Sequence, residues 1–260
     1  MDEVAPGVLV ATGRHDVTTS TVVRAAAGSD RVLLVDPAWE VDELESLADA
    51  LDERSLRPVA GFSTHAHHDH LLWHPRFGDV PRWSSAETAR LAAGERAALL
   101  TMLGPWPDDL VPLVGAVTAV DGDLIPWAGQ EARLVVHDAH VPGHTAVWLP
   151  GPRILLAGDL LSDVELPLPD EPPGALERYA LGLDALAPFV ARARLVVPGH
   201  GSPGTDARAR LDRDRRYLDA VSRGLEPDDE RLADEAMRLT HAETVRLHGR
   251  GAGRTPASDD

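Results

Sequence analysis

The chain has 260 residues, with 25 basic and 42 acidic side chains, 43% hydrophobic residues and a formal net charge of −17 with its twelve histidines neutral. Every basic residue is arginine, and no lysine, cysteine or asparagine occurs, which excludes a Cys nucleophile, a disulfide framework, cysteine-ligated metal sites and a Schiff-base or phosphate-loop lysine. The acidic balance repels phosphate backbones, so no nucleic-acid partner is expected, and no apolar run reaches the roughly 18 to 20 residues of a membrane span.

The start, Met1-Asp2-Glu3, lacks the basic and apolar regions of a signal peptide, so a cytoplasmic location is expected. Residues 8–11, 19–25 and 31–36 read as β-strands, the last two joined by the turn signal Ala26-Ala27-Gly28-Ser29-Asp30. An amphipathic helix follows over 41–52, with Val41, Leu44, Leu47, Ala48 and Leu51 on one face. Residues 58–63 return as a strand that ends at a histidine cluster. A long Ala/Leu helix over 85–103 is broken by Gly104-Pro105-Trp106-Pro107. Further strands are expected at 115–119, 132–137, 146–149, 154–157 and 195–197, with a Pro-rich loop at 166–174 and a helix at 176–186 between the last two. Two helices, 206–222 and 227–248, close the fold, and residues 249–260 read as a frayed tail. No repeat or long linker divides the chain, so one domain over 1–248 is expected, with two sheets sandwiched between helical layers. Arg208, Arg210, Arg213, Arg215 and Arg216 interleave with Asp206, Asp212 and Asp214 at helical pairing distances, which reads as an ion-paired helix face.

The chemistry concentrates in Thr64-His65-Ala66-His67-His68-Asp69-His70. If the backbone stays extended over His65 and His67, both imidazoles point to one side, and Asp69 and His70 follow in a turn that Pro75 stops. Imidazoles suit zinc and neighbouring first-row metals, and burying so many ionisable groups without a cation is costly. Ligand-type residues recur at strand ends, each beside a glycine that permits close backbone approach: His144 after Gly143, Asp159 after Gly158 and His200 after Gly199. His68 falls on the opposite phase and reads as structural, as do His74 and His137. His15, His241 and His248 carry no supporting context.

With His65-Ala66-His67-His68-Asp69-His70 standing as an HxHxDH signature, followed by His144, Asp159 and His200, the chain resembles the metallo-β-lactamase superfamily from about Val8 to Gly201. The resemblance implies an α/β fold, a four-layer αββα sandwich with a dinuclear metal site at one edge of its sheets. It implies that His65, His67 and His144 hold the first metal, that Asp69, His70 and His200 hold the second, and that Asp159 bridges them. Asp36 and His140 are expected behind these ligands, orienting them. Two zinc ions are the expected cofactors, with iron or manganese as alternatives. Two close cations need a bridging carboxylate and hydroxide, and coordination brings the pKa of water from 15.7 to near 7, so a nucleophile exists without Ser or Cys. Asp69 would take up the proton of the bridging hydroxide and relay it to the leaving group.

Within the superfamily, lactamases with a cysteine ligand are excluded by composition. The all-histidine lactamases lack a bridging aspartate, so β-lactamase activity is disfavoured. The bridging aspartate resembles that of glyoxalase-II-type thioesterases and acyl-homoserine lactonases, although the lactonases carry a tyrosine where this chain has Ser162. The expected activity is hydrolysis of an ester, thioester, lactone or amide bond in a small neutral or cationic molecule. The alternatives are a persulfide-dioxygenase-like iron oxidoreductase and a metal-binding protein without turnover. Trp106 and Trp127 are expected either to wall the pocket or to pack the core, and Asp163 and Glu165 either to form an acidic lip or to be solvated.

Overall fold

The computed structural model describes residues 1–37, 39–170 and 173–249. Two sheets carry the fold. The first is assembled in sequence order from β1 (Asp2–Ala5), β2 (Val8–Thr12), β3 (Thr19–Arg24), β4 (Arg31–Val35), β5 (Arg57–Phe62), β6 (Arg82–Ser84) and β7 (Thr118–Ala119). Its first four strands pair antiparallel through short turns, whereas β4 to β7 pair parallel. Parallel neighbours require crossovers, and these are α1 (Val41–Glu53), the histidine segment, and the helices α2 (Ala86–Gly94) and α3 (Arg96–Leu103). The second sheet contains β8 (Arg133–His137), β9 (His144–Leu149), β10 (Ile154–Gly158) and β11 (Leu195–Pro198) in the order β11-β10-β9-β8, with β10 and β11 parallel across α4 (Ala175–Val190). Two further helices follow, α5 (Ala207–Arg223) and α6 (Glu235–His248).

Strand alternation distributes the side chains among four layers. Val8, Val10, Val23, Leu33, Val35 and Phe62 face Leu134, Val147, Leu149, Ile154, Leu156 and Val197 between the sheets. The opposite phase of the first sheet, Leu9, Val22, Val32 and Leu34, packs on Leu44, Leu47, Ala48 and Leu51 of α1. The outer face of the second sheet, Ala146, Trp148, Leu155 and Val196, packs on α4 and α5 through Tyr179, Leu183, Leu186, Leu211 and Leu218. The αββα order therefore follows from which phase of each strand is apolar.

Five elements differ from the sequence reading. The 85–103 helix is two helices that meet at Glu95, directly after Gly94, a poor helix former. The 227–248 helix is a short 3-10 turn, Glu230–Ala233, followed by α6, which begins where the Asp234 side chain caps the N–H groups of Ala236 and Met237. The strand expected at 115–119 is confined to Thr118–Ala119. β1 and β6 were not anticipated, one being largely polar and the other only three residues long. Of the expected tail, residues 250–260 lie outside the described residues.

Trp106 packs against the α1 cluster and Trp127 against the inter-sheet core, so both join the core. Arg210 pairs with Asp206 at the expected helical spacing, whereas Arg213 and Arg215 pair with Glu230 and Asp184 on other elements, and Arg210 is buried instead of solvated. Among the described residues no helix is long and apolar enough to cross a membrane.

Candidate metal centre

The ends of β4, β5, β10 and β11 and the loop before β9 meet at one edge of the sandwich, the usual place for a site where parallel strands end. The chain bends away from β5 at Thr64, and a turn closed by the His70 N–H on the His67 carbonyl (3.2 Å) follows. Two groups of potential ligands result: His65, His67, His140 and Asp159 in one, and Asp69, His70 and His200 in the other. In each group one ligand atom per residue lies within 4.8 Å of the others.

Asp159 faces both groups. Its Oδ2 lies 3.3 Å from His65 Nε2, 3.4 Å from His140 Nε2 and 3.5 Å from His200 Nε2, and its Oδ1 lies 3.3 Å from His70 Nε2. Asp69 Oδ2 lies 3.2 Å from His70 Nε2 and 3.1 Å from His200 Nε2. His67 turns its Nδ1 inward, 3.1 Å from both His65 Nε2 and His140 Nε2.

The outward nitrogens are tied to fixed acceptors, which assigns the tautomers. His140 Nδ1 donates to the Leu168 carbonyl (2.9 Å) and His200 Nδ1 to the Asp16 carbonyl (2.9 Å). Thr64 Oγ1 donates to Asp36 Oδ2 (2.7 Å), which leaves it to accept from His65 Nδ1 (3.0 Å). Asp36 Oδ1 also accepts the Thr64 N–H (2.9 Å), and its Oδ2 lies 3.1 Å from His70 Nδ1. Asp36 thus stands behind the histidine segment as expected. The inner nitrogens of these four rings face one another and the carboxylates of Asp69 and Asp159.

The first ligand group contains His140, which was expected behind the ligands, and does not contain His144, which was expected to hold the first metal. As the first residue of β9, His144 is fixed opposite His137, whose ring stacks on it at 4.8 Å. Its Nε2 accepts the backbone N–H of Asp159 (3.0 Å) instead of joining either group. Gly158 is required by this contact, since a Cβ there would lie 2.4 Å from His144 Nε2. His140 lies in the loop ahead of the strand, where its ring is free to turn inward. The cue in the sequence was its position outside the apolar β run. Gly199 is equally constrained, because a Cβ would lie 2.0 Å from Asp159 Oδ1 and 3.0 Å from His70 Cε1. The Gly199 carbonyl also accepts the Thr19 N–H (2.7 Å), tying β3 to the His200 loop.

Protonation follows from this crowding. Burial pushes His65 down to about 4 and holds His67 well below the ordinary histidine value. Burial alone would also lower His70, His140 and His200, but the facing carboxylates, Asp159 foremost, outweigh it and raise all three. Burial would raise Asp69 and Asp159, yet the surrounding imidazoles, His70 foremost, hold both well below the usual carboxylate range. Asp159 Oδ1 is buried and has no hydrogen-bond partner among the described residues. An orphaned carboxylate oxygen surrounded by inward imidazole nitrogens is the donor set of a cation site, and each of the two groups fits a metal ion.

The remaining candidates are accounted for locally. His68 meets Asp69 at 3.7 Å and the edge of Trp39. Ser162 is buried, donates its hydroxyl to the His200 carbonyl (2.7 Å) and accepts from the N–H groups of Val164 and Glu165. Its oxygen is therefore engaged by backbone and does not face substrate. Glu165, 3.8 Å from His200 Nδ1, is pushed up to about 7 by burial, partly offset by His200. With Asp16, Val17, Asp163, Arg231 and Met237 it lines a cavity of about 520 Å3.

A sequence model described as the metallo-beta-lactamase superfamily matches residues 13–200, which include both ligand groups. The structure is similar to that of a beta-lactamase domain protein from Burkholderia ambifaria, at 22% identity over 85% of this chain and 75% of that one, with a TM-score of 0.64. It is also similar to a metallo-beta-lactamase family protein from Thermus thermophilus, at 22% identity over 94% of this chain and 92% of that one, with a TM-score of 0.63. A stereoselective inverting sec-alkylsulfatase from Pseudomonas sp. matches at 15% identity over 85% of this chain and 41% of that one, with a TM-score of 0.61. A search of the curated proteins found no match.

Proposed function

The chain belongs to the metallo-beta-lactamase superfamily, and from that premise we propose that it is a dinuclear-metal hydrolase acting on an ester, thioester, lactone or amide bond of a small neutral or cationic molecule. The observation that carries this reading is Asp159, whose two oxygens face both ligand groups at 3.3 to 3.5 Å. His65, His67 and His140 would hold one ion, Asp69, His70 and His200 the other, and Asp159 both. Two zinc ions bound there would supply an activated water near neutral pH and polarise the scissile carbonyl.

The rest of the chemistry belongs to the chain. Asp69, whose Oδ2 lies 3.2 Å from His70 Nε2 and 3.1 Å from His200 Nε2, would accept a proton and return it to the leaving group. Asp36 and Thr64 fix His65 and His70 from behind, so little reorganisation is needed during turnover. The net charge of −17 disfavours anionic substrates and nucleic acid. The reading places the protein in the cytoplasm with a small-molecule substrate.

Protein expressed with adequate zinc should carry about two equivalents of metal. Less than one equivalent would defeat the proposal. A panel of esters, thioesters and lactones should show turnover that Asp159→Ala and His67→Ala abolish. Activity no higher than in those variants would leave a metal-binding protein without turnover. The Asp69, His70 and His200 set, two imidazoles and a carboxylate, also suits ferrous iron. Oxygen consumption with a persulfide, lost on iron removal, would favour the oxidoreductase reading instead.

A further inference from the structure

The loop that leaves Asp159 is bound by arginines from the C-terminal part of the chain. Leu161 has φ +60°, a left-handed conformation that a branched side chain adopts only when its surroundings hold it there. Arg210 Nη1 donates to the Leu161 carbonyl (3.2 Å), and Arg213 Nη2 to the Ser162 carbonyl (3.0 Å). Arg231 Nη1 donates to the carbonyls of Ser162 (3.1 Å) and Glu165 (2.6 Å) and to Asp214 Oδ1 (2.9 Å). Its Nε and Nη2 fork onto Asp229 at 2.9 and 2.7 Å.

Arg231 is 4% exposed and Asp214 1%. A guanidinium so buried is tolerated only when its donors are satisfied, and every nitrogen of Arg231 is in use. The second oxygen of Asp214 accepts the Leu161 N–H (3.2 Å), two residues beyond Asp159. Ser162, held by Arg213 and Arg231, passes its hydroxyl to the backbone of His200. Arg231 is therefore one residue removed from His200 and joined through Asp214 to the loop that positions Asp159. It lies beyond the residues that the superfamily model matches.

We propose that Arg231 is a positioning residue for the second metal ion: through Asp214 and Ser162 it fixes Asp159 and His200, so that metal binding depends on the C-terminal segment. The proposal rests on the two-metal reading. It predicts a defect weighted towards the second ion, because His200 serves that ion alone, whereas Asp159 is shared by both and His65 and His67 are carried by the segment after β5.

The test is stepwise titration of the metal-free protein with Co(II), followed by calorimetry and by absorbance, with thermal melts as a check on folding. Arg231→Lys keeps the charge but loses the planar fork. Ser162→Ala leaves the arginines and their carboxylates intact and removes the link to His200 together with the hydroxyl's bonds from the Val164 and Glu165 N–H groups, so it remains informative if the arginine variant does not fold. In both variants the first equivalent, which keeps His65, His67 and His140, should lose less affinity than the second. The second should bind about 10- to 100-fold more weakly, with an altered Co(II) spectrum. Folded Ser162→Ala protein that binds both equivalents like the wild type would overturn the proposal alone. Wild-type protein that binds only one equivalent would overturn the two-metal reading and the proposal with it.

Discussion

His140 and His144 are chemically identical and four residues apart, yet their environments give them different work. His144 is a strand residue whose lone pair receives the Asp159 N–H, whereas His140 is a loop residue whose outer nitrogen is tied to Leu168 and whose inner nitrogen meets His67. His140→Ala should weaken zinc binding by more than the roughly 10- to 100-fold typical of residues that only orient ligands, measured by chelator competition. His144→Ala should chiefly cost stability, about 1–3 kcal/mol for an unpaired buried N–H, measured by denaturant unfolding of the metal-free protein. The reverse pattern would restore His144 as the ligand. Proton linkage gives a second check. His70, His140 and His200 have raised pKa values in the metal-free site and hold protons that a metal must displace. Metal affinity should therefore fall as pH falls, with proton release visible as a dependence of the calorimetric enthalpy on buffer. Uptake without proton release would contradict the assigned charges.

Among the elements, strands with an apolar phase on each face and amphipathic α1 were legible because periodicity records burial. The short or polar strands β1 and β6 were not, since their pairing is set by neighbours and not by their own pattern. The gathering of His65 to His70, Asp159 and His200 at one edge could also be read, because each follows an apolar run, Asp159 and His200 directly after a glycine. Choosing between His140 and His144 required knowing which residue the β8–β9 pairing would capture. His137, stacked on His144 in that pairing, is pushed by burial down to about 4. Since its value in the unfolded chain is near 6.5, the folded form binds fewer protons between those limits. Its contribution is present above pH 6.5 and is lost as pH falls towards 4, by up to about 3 kcal/mol. In metal-free protein, His137→Leu should lose less stability than the wild type on going from pH 7 to pH 5. An equal loss would show that His137 does not titrate with unfolding.

At the scale of the molecule, the αββα frame brings strand ends from two sheets to one edge, and the arginine-bound C-terminal segment closes the loop beside it. Inward-facing imidazoles and carboxylates make the metal-free centre a strained balance of charge, so metal should stabilise the whole fold. At a free zinc concentration about 1,000 times Kd the gain is about 4 kcal/mol, or roughly 8–16 °C in Tm for a chain of this size. A strong chelator should remove that increment, and an unchanged melt would show that the centre does not hold metal in the folded state. The most direct measurement is anomalous diffraction at the zinc edge from zinc-loaded crystals. The account predicts two peaks flanking the Asp159 carboxylate, one bonded by His65, His67 and His140 and the other by Asp69, His70 and His200. A single peak, or a peak bonded by His144 with His140 turned away, would contradict it.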